Sequence, residues 1–158
     1  MPEVIVNTTP IIALAGIGHL DLLQKLYSRV MIPEAVDREI ISEPTRTLFS
    51  SAEWIDVERI KNPYPKSAFS SRLHAGEIEV IVLAQETEAE LLIIDDNAAK
   101  NTAKYLGMKV TGTMGVLLRA KKEGFIKEVR PLLDNLEADG FYISRDVRRF
   151  TLEQAKEE

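Results

Sequence analysis

The sequence predicts an α/β fold built on a mostly parallel central sheet of about five strands, and three observations carry that expectation. Two aliphatic runs, Val4-Ile5-Val6 and Leu91-Leu92-Ile93-Ile94, lack the alternation of a half-exposed strand and read as strands buried on both faces. Helical patterns follow both runs at once, the order that parallel crossovers require. The second run ends in two adjacent carboxylates, Asp95-Asp96, at the strand end where open parallel sheets place ligands.

Taken in order, residues 3–7 read as the first strand. Thr9 is the expected N-cap of the helix that follows, with Pro10 at its first position. A second helix is expected over residues 19–27, a short strand over 30–32, and a helix from Glu34 to Ser42 opened by Pro33. The polar stretch 43–51 reads as irregular. Residues 54–57 alternate and predict an edge strand. Pro63 and Pro65 mark 61–72 as a loop. Strong helical patterns follow over 77–88 and 97–107, with a short strand over 108–111 after them. Gly112-Thr113 opens a helix through Lys122, another helix covers 127–139, and residues 141–143 read as a further edge strand. The last segment, 145–156, is basic and helical.

Composition narrows the function classes. A chain of 158 residues with 45% hydrophobic and 28% charged residues is most economically one soluble domain, residues 1–158. No apolar run approaches the roughly 20 residues of a membrane helix. Met1-Pro2-Glu3 lacks the basic start of a signal peptide, and the chain has no cysteine, so a cytoplasmic location is expected. The same absence excludes disulfide frames, thiolate catalysis and zinc ribbons. A net charge of −5 argues against broad nucleic-acid coating, though not against a local basic rim.

The chemistry-bearing residues converge on one sheet edge. Asn7 ends the first strand, Asp95 and Asp96 end a later one, and adjacent parallel strands would bring these ends to one crevice. Glu77 opens a helix directly after Gly76, where the dipole stabilises a carboxylate. Glu39 lies on a helix among apolar neighbours. Two acids in sequence disfavour joint ionisation, and a divalent cation is the usual reason to hold them together.

At this point the chain resembles the PIN-domain family of metal-dependent ribonucleases, which includes the VapC-like toxins, and most of all an uncharacterised prokaryotic PIN-like subfamily. The resemblance rests on Val6-Asn7-Thr8-Thr9-Pro10, Ile32-Pro33-Glu34-Ala35-Val36 through Glu39, Gly76-Glu77-Ile78-Glu79, Ile93-Ile94-Asp95-Asp96-Asn97 and Val110-Thr111-Gly112-Thr113. It spans about Val4 to Ile143. It implies a three-layer α/β/α domain whose acids gather Mg²⁺ or Mn²⁺, with a metal-activated water that cleaves RNA. Carried over, the first-strand acid falls on position 7, the helical Glu on Glu39, the third acid on Glu77, and the last on Asp95 or Asp96. The family's short hydroxyl residue falls on Thr9, and Thr113 is a second candidate hydroxyl on the same edge. The family usually has aspartate at position 7, whereas this chain has Asn7, whose amide oxygen can ligate Mg²⁺ but brings no charge.

Two functions therefore stand as expectations. One is a Mg²⁺- or Mn²⁺-dependent endoribonuclease, the toxin of a toxin–antitoxin module, with RNA and an antitoxin protein as partners. The other is a PIN-like module that binds RNA or a protein without cutting. Lys100 is placed to reach a phosphate at the rim, with Lys104 one turn on, and His74 stands near the pocket. His19 and the basic residues Arg119, Lys121 and Lys122 read as solvated, while Arg145, Arg148 and Arg149 form the densest basic cluster. The apolar stretch 17–26 is a candidate homodimer face in a family that commonly dimerises. A phosphoacceptor receiver domain would carry its acid pair after the first strand, and here the pair follows a late one.

Overall fold

The computed structural model describes residues 3–62 and 72–158. Five strands form one parallel sheet: β1 (Val4–Val6), β2 (Val30–Pro33), β3 (Ile55–Glu58), β4 (Leu91–Ile93) and β5 (Val110–Thr111), in the spatial order β3-β2-β1-β4-β5. β1 lies in the middle, with Val4, Ile5 and Val6 in register with Leu91, Leu92 and Ile93 of β4. Ile5, Val6, Leu92, Ile93 and Ile94 are fully buried, so both aliphatic runs are covered on both faces as their lack of alternation predicts. β3 is an edge strand, as its alternation predicts.

Between and after the strands lie α1 (Thr8–Gly16), α2 (Leu22–Tyr27), α3 (Glu34–Glu39), α4 (Thr45–Ser50), α5 (Ala75–Thr87), α6 (Asn97–Tyr105), α7 (Thr113–Lys122), α8 (Arg130–Ala138) and α9 (Arg145–Gln154). The chain steps from β1 outward to β2 and β3, then crosses back over β1 to reach β4 and β5. Right-handed crossovers therefore put α1 and α2 on one face and α5 and α6 on the other. The contacts agree: α5 lies on β1 and β2 beside α6, whereas α1 and α2 pack against α7, and α7 against α9. The result is the expected three-layer α/β/α arrangement.

Several local expectations are corrected. α1 begins at Thr8, with Asn7 rather than Thr9 at the N-cap and Pro10 at the third helical position. The polar stretch 43–51 contains α4. It is held where Arg46 donates to the carbonyls of Asp37 and Ile40, and where the Glu43 carboxylate accepts from the Thr47 N–H and hydroxyl. Residues 141–143 form no strand, because their backbone joins two helices. Phe141 N–H closes α8 on the Leu136 carbonyl, and the Ser144 hydroxyl caps α9 at Val147 N–H. In the apolar stretch 17–26, Leu20, Leu22 and Leu23 are buried in the core, which is what such a pattern more often means. The loop expected over 61–72 falls mostly on residues 63–71, outside the described residues. No helix among the described residues is long and apolar enough to cross a membrane.

Candidate active site

The chain reverses its direction across the sheet between β1 and β4, and ligands of open α/β sheets bind outside the carboxyl ends at such a switch point. Asn7 follows β1 there, its N–H donating to the Ile93 carbonyl at 2.9 Å. Its side chain is almost wholly buried at 4% exposure, and Oδ1 accepts no hydrogen bond. An N-cap asparagine normally accepts from the N–H of the second or third helical residue. The third residue of α1 is Pro10, which has no N–H to give. Pro10 thus removes one of the two ordinary donors, the Thr9 N–H does not bond Oδ1 either, and a buried unpaired acceptor costs about 1–3 kcal/mol.

Glu39 ends α3, and its carboxylate reaches two helix starts at once. Oε2 accepts from the Thr8 hydroxyl at 2.6 Å, and Oε1 from the Gly76 N–H at 3.1 Å. Thr8 and Gly76 lie in the first turns of α1 and α5, where N–H dipoles favour an anion. A Cβ at residue 76 would stand 2.5 Å from Glu39 Oε1, so glycine leaves the room this contact needs. Glu77, at the third position of α5, is buried at 6% exposure, and its Oε1 accepts from His74 N–H at 2.9 Å. Burial pushes its carboxyl above the ordinary range. The His74 N–H opposes this, and the charges of Asp96 and Glu39 add to the rise.

The two aspartates divide their work. Asp95 is clamped by Thr113, which donates its N–H to Oδ1 at 2.8 Å and its hydroxyl to Oδ2 at 2.6 Å. Asp96 caps α6, its Oδ2 accepting from Ala99 N–H at 2.9 Å. Lys100 brings its ammonium to the same corner: a Cβ at Gly112 would lie 3.0 Å from Nζ and 2.6 Å from Asp95 Oδ1. Thr113 is fully buried, so Thr113→Val keeps the shape and removes one charge-assisted bond. We expect a loss of about 2 kcal/mol, read in thermal melts as a fall of about 4–8 °C. An unchanged melting temperature would show that the clamp does not hold β4 to α7.

The structure thus brings Asn7, Glu39, Glu77, Asp95, Asp96, Thr113 and Lys100 to one edge. Among the described residues, however, no group of three or more acidic or histidine side chains is gathered to hold a metal ion. The four acids share an edge rather than one coordination sphere. Thr9 is exposed, and the hydroxyl that meets the acids is Thr8. His74 is exposed at the N-cap of α5, and its N–H donates to the Glu77 carboxylate. His19 lies in the turn between α1 and α2, donating its N–H to the Leu14 carbonyl.

A profile of the PIN-domain family (DUF3368) matches residues 3–157. The chain belongs to the PIN-domain family. Among solved structures this PIN domain is similar to a PilT N-terminus domain protein from the hyperthermophilic archaeon Sulfolobus solfataricus P2. The two are 16% identical, with a TM-score of 0.49 over 90% of this chain and 98% of that one. No curated protein matches the chain.

Sequence reasoning missed three parts of the PIN site: Thr8, the Gly76 N–H and the effect of Pro10. The last had a readable signal, because Asn7-Thr8-Thr9-Pro10 puts a proline where the cap's donor should be. The first two had none, since both depend on where Glu39 arrives from 31 and 37 residues away.

Proposed function

We propose that this PIN domain is a Mg²⁺- or Mn²⁺-dependent endoribonuclease acting as the toxin of a toxin–antitoxin module. RNA is its substrate, and an antitoxin protein and a second copy of the chain are its partners. One observation carries the reading: the buried, unpartnered Asn7 Oδ1 lies at the switch point of the sheet, on the edge that also holds Glu77, Asp96 and Glu39. A buried acceptor left empty beside carboxylates that repel one another is chemistry that a cation would satisfy.

The donor set fits such an ion. Both oxygens of Asp95 are taken by Thr113, and both of Glu39 by Thr8 and Gly76. Among the described residues, Glu77 Oε2, Asp96 Oδ1 and Asn7 Oδ1 have no hydrogen-bond partner. Mg²⁺ is commonly held through one or two carboxylates with several retained waters, so a closed cage of three acids is not required. Glu77 and Asp96 with the Asn7 amide would hold it, and when bound it lowers the pKa of a water and offsets charge on the phosphate. Asn7 cannot accept a proton. Glu77 Oε2 and Asp96 Oδ1 would therefore supply the negative charge that the amide does not. Thr8 and Gly76 hold Glu39 in place, and Lys100, without an ion pair among the described residues, would meet a phosphate oxygen.

The amide at position 7 favours a second reading, an RNA- or protein-binding module that does not cut. Incubation of the protein with single-stranded RNA separates the two. Cleavage that needs Mn²⁺ and stops with EDTA is expected. Asp96→Asn keeps the cap on Ala99 while removing the charge, so a fall in rate of about a hundredfold without loss of fold is expected. Cleavage that persists in EDTA, or that is unchanged in Asp96→Asn, overturns the metal reading. RNA binding without cleavage supports the module.

A further inference from the structure

Away from the acidic edge, the first half of α9 carries Arg145, Arg148 and Arg149 beside one acid, Asp146, and among the described residues only Arg148 of the three is ion-paired. Arg145 opens the helix, at the end where the helix dipole already places positive charge, and Arg149 lies one turn on. Arg148 is held by Asp134 and Glu137. Arg145 and Arg149 make no ion pair or hydrogen bond among the described residues. Together with Arg130 they line an open cleft of about 350 Å³ whose other walls are the ion-paired Arg148, Leu152 and the acid Glu158. Arg130 is steadied where its Nη2 donates to the Glu157 carbonyl at 2.6 Å. Guanidinium groups of like charge that line one cleft, with Arg145 at the positive end of the helix dipole, would gain from a bound anion.

The position of this cleft limits what the anion belongs to. Thr113, at the start of α7, touches the acidic edge through Asp95. Lys121, at the far end of α7, bonds Glu157, and Glu157 accepts from Arg130 N–H. Eight helical steps separate Thr113 from Lys121, about 12 Å along the axis at 1.5 Å each. At about 3.4 Å of rise per nucleotide, some four stacked nucleotides cover that length. The local chemistry also favours a nucleic acid over an acidic peptide. A docked peptide needs an apolar anchor, and the one apolar lining residue, Leu152, is itself buried at 7% exposure. Tyr142, just before α9, and Phe150, in its second turn, are 84% and 59% exposed and offer aromatic faces on which bases stack.

We propose that the cleft lined by Arg130, Arg145 and Arg149 is a second contact for the phosphate backbone of the RNA strand, at the far end of α7 from the acidic edge. The proposal takes its substrate from the ribonuclease reading. It does not need cleavage, so the two fail separately.

The test is fluorescence anisotropy with the full chain in EDTA, comparing a fluorescent single strand of about twelve nucleotides, a dinucleotide, inorganic phosphate and polyglutamate as ligands. Arg145→Gln/Arg149→Gln is expected to weaken the longer RNA roughly tenfold at low salt and to lower the salt slope by about 1.4, two contacts at about 0.7 each. The dinucleotide is expected to be indifferent to the change. Arg29→Gln/Arg59→Gln, which makes the same charge change beside β2 and β3, is expected to leave both readings near wild type. Equal weakening by the two double variants would reduce the effect to net charge and overturn the site. So would an unchanged slope, or a wild-type chain that does not bind the longer strand. Dependence on the two arginines with inorganic phosphate or the dinucleotide alone would point to a free phosphate, and with polyglutamate alone to an acidic protein; either replaces the RNA contact. Retained cleavage has no bearing on these outcomes, and failed cleavage with intact binding removes only the nuclease reading.

Discussion

Asn7→Asp is expected to lower the melting temperature of the cation-free protein and to raise it in Mn²⁺, so that the two melting curves exchange order with the wild type. The side chain at position 7 is buried, and Glu77 and Asp96 stand on the same edge. A third carboxylate there loses hydration and repels its neighbours, a loss of about 2 kcal/mol, which at this chain length is about 4–8 °C. The orphaned amide oxygen becomes a charged ligand of the same shape, so the cation is held by three charges instead of two. Affinity for hard cations rises with ligand charge, and a gain of about 1.4 kcal/mol is tenfold in the binding constant. Preferential binding to the folded state then returns the lost stability as Mn²⁺ is added. If cleavage is limited by cation occupancy, the variant is also expected to cut RNA at least about tenfold faster than the wild type at subsaturating Mn²⁺. Melting curves for Asn7→Asp that do not respond to Mn²⁺ would show that position 7 does not face a cation.

That prediction rests on a feature half visible in the sequence. The aliphatic runs over β1 and β4 were legible because full burial removes alternation. The Asp95-Asp96 pair was legible because a strand end in a parallel sheet faces a crevice. The edge location of β3 was legible for the opposite reason, since half-exposure leaves alternation in place. What the sequence hid is division of labour. Asp95 and Asp96 look equivalent, yet one is clamped by Thr113 across 18 residues and the other caps its own helix. Thr8 and Thr9 look equivalent too. The helix starts two residues earlier than its proline suggests, which turns Thr8 toward Glu39 and Thr9 to solvent. α4 was hidden because it is held by Arg46 and Glu43 side chains rather than by an apolar stripe. These misses concern side-chain partners or a two-residue shift of a helix start, which apolar periodicity does not encode.

Glu77→Gln is expected to stabilise the cation-free protein and abolish RNA cleavage. Burial is the main reason the Glu77 carboxyl is raised, with Asp96 and Glu39 adding to it. A carboxyl raised in the folded state binds its proton more tightly folded than unfolded. Stability is then greatest at acidic pH, and it falls as pH rises through the unfolded carboxylate range up to the folded value. Above that window the wild type carries the full penalty of an ionised buried group, and glutamine carries none. The amide oxygen still accepts from His74 N–H, so the start of α5 keeps its cap. At neutral pH the variant is expected to gain about 1 kcal/mol, a rise of about 2–4 °C in melting temperature. Below the carboxylate range the two proteins should melt together. In Mn²⁺ the order should reverse, because the wild type gains binding energy that the amide forfeits. Loss of cleavage together with a gain of stability separates a cation-holding residue from a structural one. A variant that melts lower than wild type at neutral pH without cation would identify Glu77 as a helix cap whose charge the fold requires.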